Sequence, residues 1–186
     1  MKRCFDLVLA LVLFFIFLMP LCLIAILVKM TSSGPALHWS LRVGKNNKNF
    51  LMPKFRSMYT ETPQVATHLL ENSDKHVTAL GSFLRKTSLD ELPQLLTVIS
   101  GKMSLVGPRP ALFNQDDLIE LRTKKGIEQL RPGVTGWAQV NGRDDLPIPV
   151  KVEFDYEYLK NMNFFFDIKI LVMTFFKVLK PVGIKH

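Results

Sequence analysis

The sequence predicts an α+β, mostly helical protein: an apolar N-terminal membrane helix, then a small cytosolic domain whose amphipathic helices lie at a membrane interface. Three features carry this. Residues 7–28 hold no charge, a run of 22 residues long enough to cross a hydrocarbon core. Short extended pieces lie between turn clusters in residues 31–60. Helical segments follow, and the last is rich in phenylalanine. The boundary falls near residue 30, giving a membrane element over 1–30 and a catalytic-sized domain over 31–186.

Composition agrees. The 186 residues are 48% hydrophobic and carry a net charge of +8. Mean hydropathy is +0.17 and the isoelectric point is about 9.6. A basic chain with an apolar end suits an anionic partner such as membrane lipids or phosphates. Zinc-finger spacing, a basic zipper and an RNA-binding aromatic signature are missing, so no nucleic acid is expected. Cys4 and Cys22 lie in or beside the apolar run and cannot frame the domain with disulfides. His38, His68, His76 and His186 show no ligand spacing, which argues against zinc.

The apolar run is too long for a secretory signal core, and no small-x-small cleavage site follows Val28. Pro20 falls near its middle, where it removes a donor and clashes with the carbonyl four residues earlier. A kinked spanning helix and a re-entrant helix are both compatible with it. Basic residues flank both ends (Lys2, Arg3, Lys29, then Arg42, Lys45, Lys48), which favours keeping both on one side. A re-entrant turn must satisfy its freed carbonyls within protein.

Beyond the run, Thr31-Ser32-Ser33-Gly34-Pro35 is a turn cluster. Residues 36–43 read as a strand, 46–49 as a polar turn and 50–58 as a second extended piece. Helical character returns over 64–72 and 76–86. Ser88 has N-cap chemistry, and Glu91 lies three residues on, at capping-box spacing. A helix is therefore expected from Asp90 to about Ser100, ended by Gly101. Gly107-Pro108-Arg109-Pro110 is a rigid loop presenting one guanidinium. Helices are expected over 116–124, 150–161 and 164–180. The last, with lysines at 169, 177 and 180 among its apolar residues, suits the membrane interface with lysines reaching the headgroups. A core helix is the alternative.

Asp90 and Glu91 are the most informative pair. In a first helical turn they face unpaired N–H groups and the positive end of the macrodipole, and stay ionised. Such carboxylates can attack an electrophile or hold a hard cation. The same pattern also describes an ordinary capped helix. Lys54, Arg56, Arg85, Arg109, Arg131 and Arg143 sit in loops or at element ends, several beside Pro or Gly. Arginine forks match phosphate oxygens. Together with the dicarboxylate and the membrane anchor, they point to a phosphate-handling site at a membrane surface.

Four motifs in order closely resemble the bacterial sugar transferases, the small monotopic phosphoglycosyl transferases. They are Lys54-Phe55-Arg56-Ser57-Met58, residues 87–96, residues 101–110 and residues 131–143. The resemblance implies transfer of sugar 1-phosphate from a UDP-sugar to undecaprenyl phosphate, releasing UMP. This would be a first membrane step of bacterial glycan assembly, such as O-antigen or capsule, at the cytoplasmic face of the inner membrane. It implies an aspartyl-phosphosugar intermediate on Asp90 and Mg2+ held by Glu91. Ser88 would then cap its helix alone. Lys54, Arg85 and Arg109 would bind the diphosphate or the lipid phosphate, with Arg56, Arg131 and Arg143 as further binding residues. The re-entrant topology is implied too, although Met19-Pro20 stands where many members carry Ser-Pro. Short members favour N-acetylated amino sugars, and residues 144–150 form a candidate specificity loop. The alternatives are a UDP-hexose-specific hexose-1-phosphate transferase and a non-catalytic membrane scaffold of glycan assembly. A homodimer is a possible assembly.

Overall fold

The computed structural model describes residues 2–60, 62, 73–142 and 146–179. The uncharged run forms two helices, α1 (Lys2–Ile16) and α2 (Leu18–Thr31), bent by 60° at Phe17. The expected break lay near Pro20. The bend falls three residues earlier, for a simple reason. Pro20 is the third residue of α2, where its missing N–H costs no intrahelical bond. Its ring instead strains the carbonyl one turn back, at Ile16. No single helix among the described residues is long and apolar enough to cross a membrane, whereas the bent pair passes that test together.

The first turns of α1 are built into the domain. Ala10 is fully buried in the largest core cluster, beside Met52, Val98, Met103 and Ile170. The Arg3 guanidinium donates to the carbonyls of Val98 (2.6 Å) and Ile99 (2.9 Å), filling acceptors at a helix C-terminus. Asp6 is buried and accepts from Ser104 Oγ at 2.8 Å. Further along, Val12, Phe15, Ile16, Met19, Leu23 and Met30 are exposed.

Strands β1 (Leu37–Val43) and β2 (Asn49–Phe55) form an antiparallel hairpin, with His38 opposite Lys54 and Ser40 opposite Met52. The polar turn between them places Asn46 and Asn47 in the left-handed region, which asparagine tolerates. After the short α3 (Ser73–His76) comes α4 (Ala79–Thr87). Thr78 caps α4 by accepting from Gly81 N at 2.9 Å. The helical segment expected over 64–72 lies outside the described residues.

The capping-box expectation at Ser88 does not hold. Ser88 is left-handed (φ 58°) and closes α4, its N–H donating to the Arg85 carbonyl. An N-cap needs extended backbone, so one residue cannot do both. Its hydroxyl caps nothing, and Glu91 N reaches the Ser88 carbonyl instead. The chain continues as a tight 3-10 turn over Leu89–Gln94, containing Pro93, and only then becomes α-helical in α5 (Leu95–Ile99). Gly101 follows at φ +83°.

Strand β3 (Ser104–Val106) pairs in parallel with β4 (Gly133–Thr135). The backbones approach so closely that a Cβ on Gly133 would lie 2.1 Å from Gly107 N. Helices α6 (Asp116–Lys124), α7 (Trp137–Asn141), α8 (Ile148–Asn161) and α9 (Phe164–Leu179) complete the fold. One side of α9 packs as a core helix, the alternative expected for it. Asp167 and Ile170 face inward, buried, while Phe165, Phe175 and Phe176 are well exposed. Lys169 stacks over the Trp137 ring, 5.2 Å from its centroid, rather than extending away from the domain.

Candidate active site

The 3-10 turn after α4 presents Asp90 and Glu91 to the hairpin. Lys54, near the end of β2, donates Nζ to Glu91 Oε1 at 2.6 Å. Arg109, from the Gly-Pro loop after β3, donates Nη2 to the same oxygen at 3.0 Å. Asp90 is 7% exposed and lies within the fields of Lys54, Arg85 and Arg109. Three chain segments, at 54, 85–91 and 109, therefore meet at one point. Strand length, the α4 closure and the proline-bound loop each fix one of them.

The two carboxylates differ in character. Burial pushes the Asp90 carboxyl up, to about 6, with the Glu91 charge adding to the rise. The cations of Lys54, Arg85 and Arg109 work against this without cancelling it. Burial also pushes Glu91 up, but the charges and hydrogen bonds of Arg109 and Lys54 overcome it and hold Glu91 well below the usual carboxylate range. Glu91 is thus a firmly ionised anchor, and Asp90 is a carboxylate held close to protonation. Opposed environments on neighbouring carboxylates accompany divided chemical roles.

Arg85 is aimed by Ser57, whose hydroxyl accepts from its Nε at 2.9 Å. Burial lowers the Arg85 pKa while the Asp90 charge raises it. The remaining candidates are spread more widely. Arg56 is buried, and its Nη2 donates to both the carbonyl and the hydroxyl of Ser32, just past α2, at 2.7 Å each. It ties the end of α2 to the segment after β2. Arg131 donates Nε to the Gly101 carbonyl at 3.1 Å and lines a cavity of about 150 Å³ with Lys2, Lys45 and Tyr158. The residues around Asp90 are not part of that cavity's lining. Arg143 lies outside the described residues, as do Asp144 and Asp145 of the expected specificity loop.

Sequence reading missed Arg122 and Asp155. Arg122 donates Nη1 to the Arg109 carbonyl at 2.8 Å, and its Nε and Nη2 donate to Asp155 Oδ2 at 3.0 and 2.6 Å. A signal existed. Arg122 lies one turn after buried Leu118 on α6, and Asp155 lies between buried Val152 and Tyr158 on α8. A charge inside an apolar stripe needs a partner.

Groups of three or more acidic, histidine or cysteine side chains that could hold a metal are absent among the described residues. Two neighbouring carboxylates remain compatible with magnesium, which commonly takes one or two carboxylates and fills its shell with water and ligand phosphates.

Comparison with known proteins gives a consistent picture. A family model described as bacterial sugar transferase matches residues 1–181. The chain is 43% identical over 190 residues to UDP-glucose:undecaprenyl-phosphate glucose-1-phosphate transferase of Escherichia coli (strain K12), covering 95% of this chain and 40% of that protein. It is 38% identical to the uncharacterized sugar transferase EpsL of Bacillus subtilis (strain 168), over 100% of this chain and 91% of EpsL. It is 34% identical to UDP-N-acetylgalactosamine-undecaprenyl-phosphate N-acetylgalactosaminephosphotransferase of Aeromonas hydrophila, over 98% of this chain and 44% of that one. The chain thus spans less than half of two of these relatives and nearly all of the third.

Proposed function

The chain belongs to the bacterial sugar transferase family, and on that premise we propose that it transfers sugar 1-phosphate from a UDP-sugar to undecaprenyl phosphate. The observation that carries the proposal is the meeting of Asp90 with Glu91, Lys54, Arg85 and Arg109, next to Leu89, which packs against the cluster formed by Ile24 and Val28 of α2 with Phe55 and Leu84.

The chemistry divides into two displacements. An Asp90 carboxylate oxygen attacks the sugar-bearing phosphorus of the diphosphate. The bond from that phosphorus to the bridging oxygen breaks, and UMP leaves with the oxygen. A phosphate oxygen of undecaprenyl phosphate then attacks the same phosphorus and displaces Asp90, giving the undecaprenyl-diphosphate sugar. Splitting the reaction lets UMP depart before a bulky lipid docks. Burial keeps water from Asp90 and strengthens the surrounding charges. Lys54, Arg85 and Arg109 bind the anionic oxygens, and Arg forks suit their geometry. Glu91 holds Lys54 and Arg109 on a single oxygen, which spaces the two cations. Mg2+, held by Glu91, would neutralise diphosphate charge and stabilise the departing UMP. Arg131 and Arg143 are proposed as outer contacts for substrate, whereas Arg56, buried on Ser32, supports the site from behind.

Both ends of the apolar pair carry basic residues, which supports a re-entrant element entered from the cytoplasmic face of the bacterial inner membrane. The relatives' names differ in the sugar. An N-acetylated amino sugar agrees with the Aeromonas relative, and a plain hexose agrees with the 43% identical Escherichia relative. UMP release from a panel of UDP-sugars, in membranes carrying wild type or Asp90→Asn, tests the proposal. One UDP-sugar should release UMP with wild type and none with Asp90→Asn. UMP release by a well-folded Asp90→Asn protein would refute the covalent route.

A further inference from the structure

The loop carrying Arg109 belongs to no strand or helix, yet it must aim a guanidinium. Its main chain is tied down residue by residue. Gly107 N donates to the Thr135 carbonyl at 2.9 Å, and Gly133 N to the Pro108 carbonyl at 2.9 Å. Arg42 Nη1 donates to the Pro110 carbonyl at 3.3 Å. The Arg109 carbonyl is held differently, by a buried side chain. Arg122, 8% exposed, reaches it from α6 and is itself gripped by Asp155, 1% exposed, on α8.

A buried ion pair is poor evidence for stability, since apolar residues of similar shape often do as well or better. What apolar residues cannot do is donate to a carbonyl. The arginine fork is planar and rigid. With two nitrogens on Asp155 and the third on the Arg109 carbonyl, it sets that peptide relative to both helices. Rotating the peptide would swing the Arg109 side chain away from Glu91 Oε1.

We infer that Asp155 and Arg122 are positioning residues for the reaction: their ion pair fixes the Arg109 peptide and thereby aims the Arg109 guanidinium at Glu91 and at the phosphate oxygens of the bound substrate. The inference rests on the transferase reading above, in which Arg109 binds phosphate.

A kinetic cycle on the full chain in detergent tests it. The apolar pair Asp155→Leu with Arg122→Met is compared with wild type, Arg109→Ala and the combination of all three changes. Melting temperature and gel-filtration elution report the fold, and UMP release reports kcat and KM. We expect the apolar-pair protein to melt near the wild type while kcat/KM for the UDP-sugar falls on the order of 10- to 100-fold, the scale of a small misplacement. In the Arg109→Ala background the same change should cost little more, because the group it aims is gone. Wild-type kcat and KM in the apolar-pair protein would overturn the inference, as would losses that multiply with Arg109→Ala. If that protein does not fold, Asp155→Asn, which keeps the shape and one acceptor, enters the same cycle with the same two outcomes. Failure of the transferase reading is visible separately: wild type itself would then release no UMP from any UDP-sugar, and the inference would fall with it.

Discussion

Asp90 and Glu91 are adjacent in sequence and opposite in electrostatics, and the division follows from what touches them. Glu91 takes both Lys54 and Arg109 on one oxygen. Asp90 is buried beside that charge and is pushed up to about 6. In the proposed mechanism the attacking form of Asp90 is the carboxylate, which grows as pH rises through the raised value. The account therefore predicts that kcat/KM falls as pH drops through the Asp90 value, approaching tenfold per unit, and levels off above it, with Mg2+ on Glu91 moving the midpoint below the value of about 6 set by the protein groups alone. A pH–rate profile on protein that stays folded across the range checks this. Lys54→Met removes one of two cations on Glu91 and one near Asp90. It should lower kcat roughly 100-fold, the cost of losing one preorganised charge-stabilising donor. An unchanged kcat would mean that Lys54 serves the hairpin alone.

At the scale of elements, α4 decides where the turn carrying Asp90 begins, and it packs unusually close to the main chain at Ser57, just past β2. A Cβ on Gly81 would lie 2.0 Å from the Ser57 carbonyl oxygen. Gly81→Ala should therefore push α4 outward, lose about 1–3 kcal/mol and loosen the Arg85–Ser57 bond. A lower melting temperature together with reduced UMP release would bear this out; wild-type values for both would contradict it. The same region marks the limit of what local pattern can tell. Helix α6 was legible to the residue, because its acidic start and apolar spacing are purely local. The Ser88 turn was misread because N-cap and C-cap chemistry overlap in serine. Only the packing of α4 decides which end it serves. Asp90, Glu91, Lys54, Arg85 and Arg109 could be picked out as candidates, but their convergence depends on strand register and loop closure. Arg122 and Asp155 escaped because a buried charge on a helix looks like a surface charge until its partner, 33 residues away, is known.

Across the whole molecule, the apolar pair and the domain are one structure. Arg3, Asp6 and Ala10 lock α1 into the core, Arg56 holds the end of α2, and Phe5 packs edge-on against Phe164 of α9 at 5.1 Å. The composition announced a greasy end and a basic domain, but not that the first turns of the apolar helix are domain core. The exposed apolar residues of α1, α2 and α9 predict that the protein stays in the membrane fraction through high-salt and carbonate washes and leaves only with detergent. Release by salt alone would contradict an inserted helix pair. In the proposed function, such an anchor would hold Asp90 beside a surface where a nucleotide sugar arrives from water and an acceptor from lipid. The most direct test of this account is to mix the protein with its UDP-sugar, withhold the lipid acceptor, quench, and map the adduct by peptide mass spectrometry. The account predicts a sugar-phosphate mass on the peptide containing Asp90, absent from Asp90→Asn. An unmodified Asp90 peptide under conditions where UMP has been released, or an adduct on another residue, would contradict it.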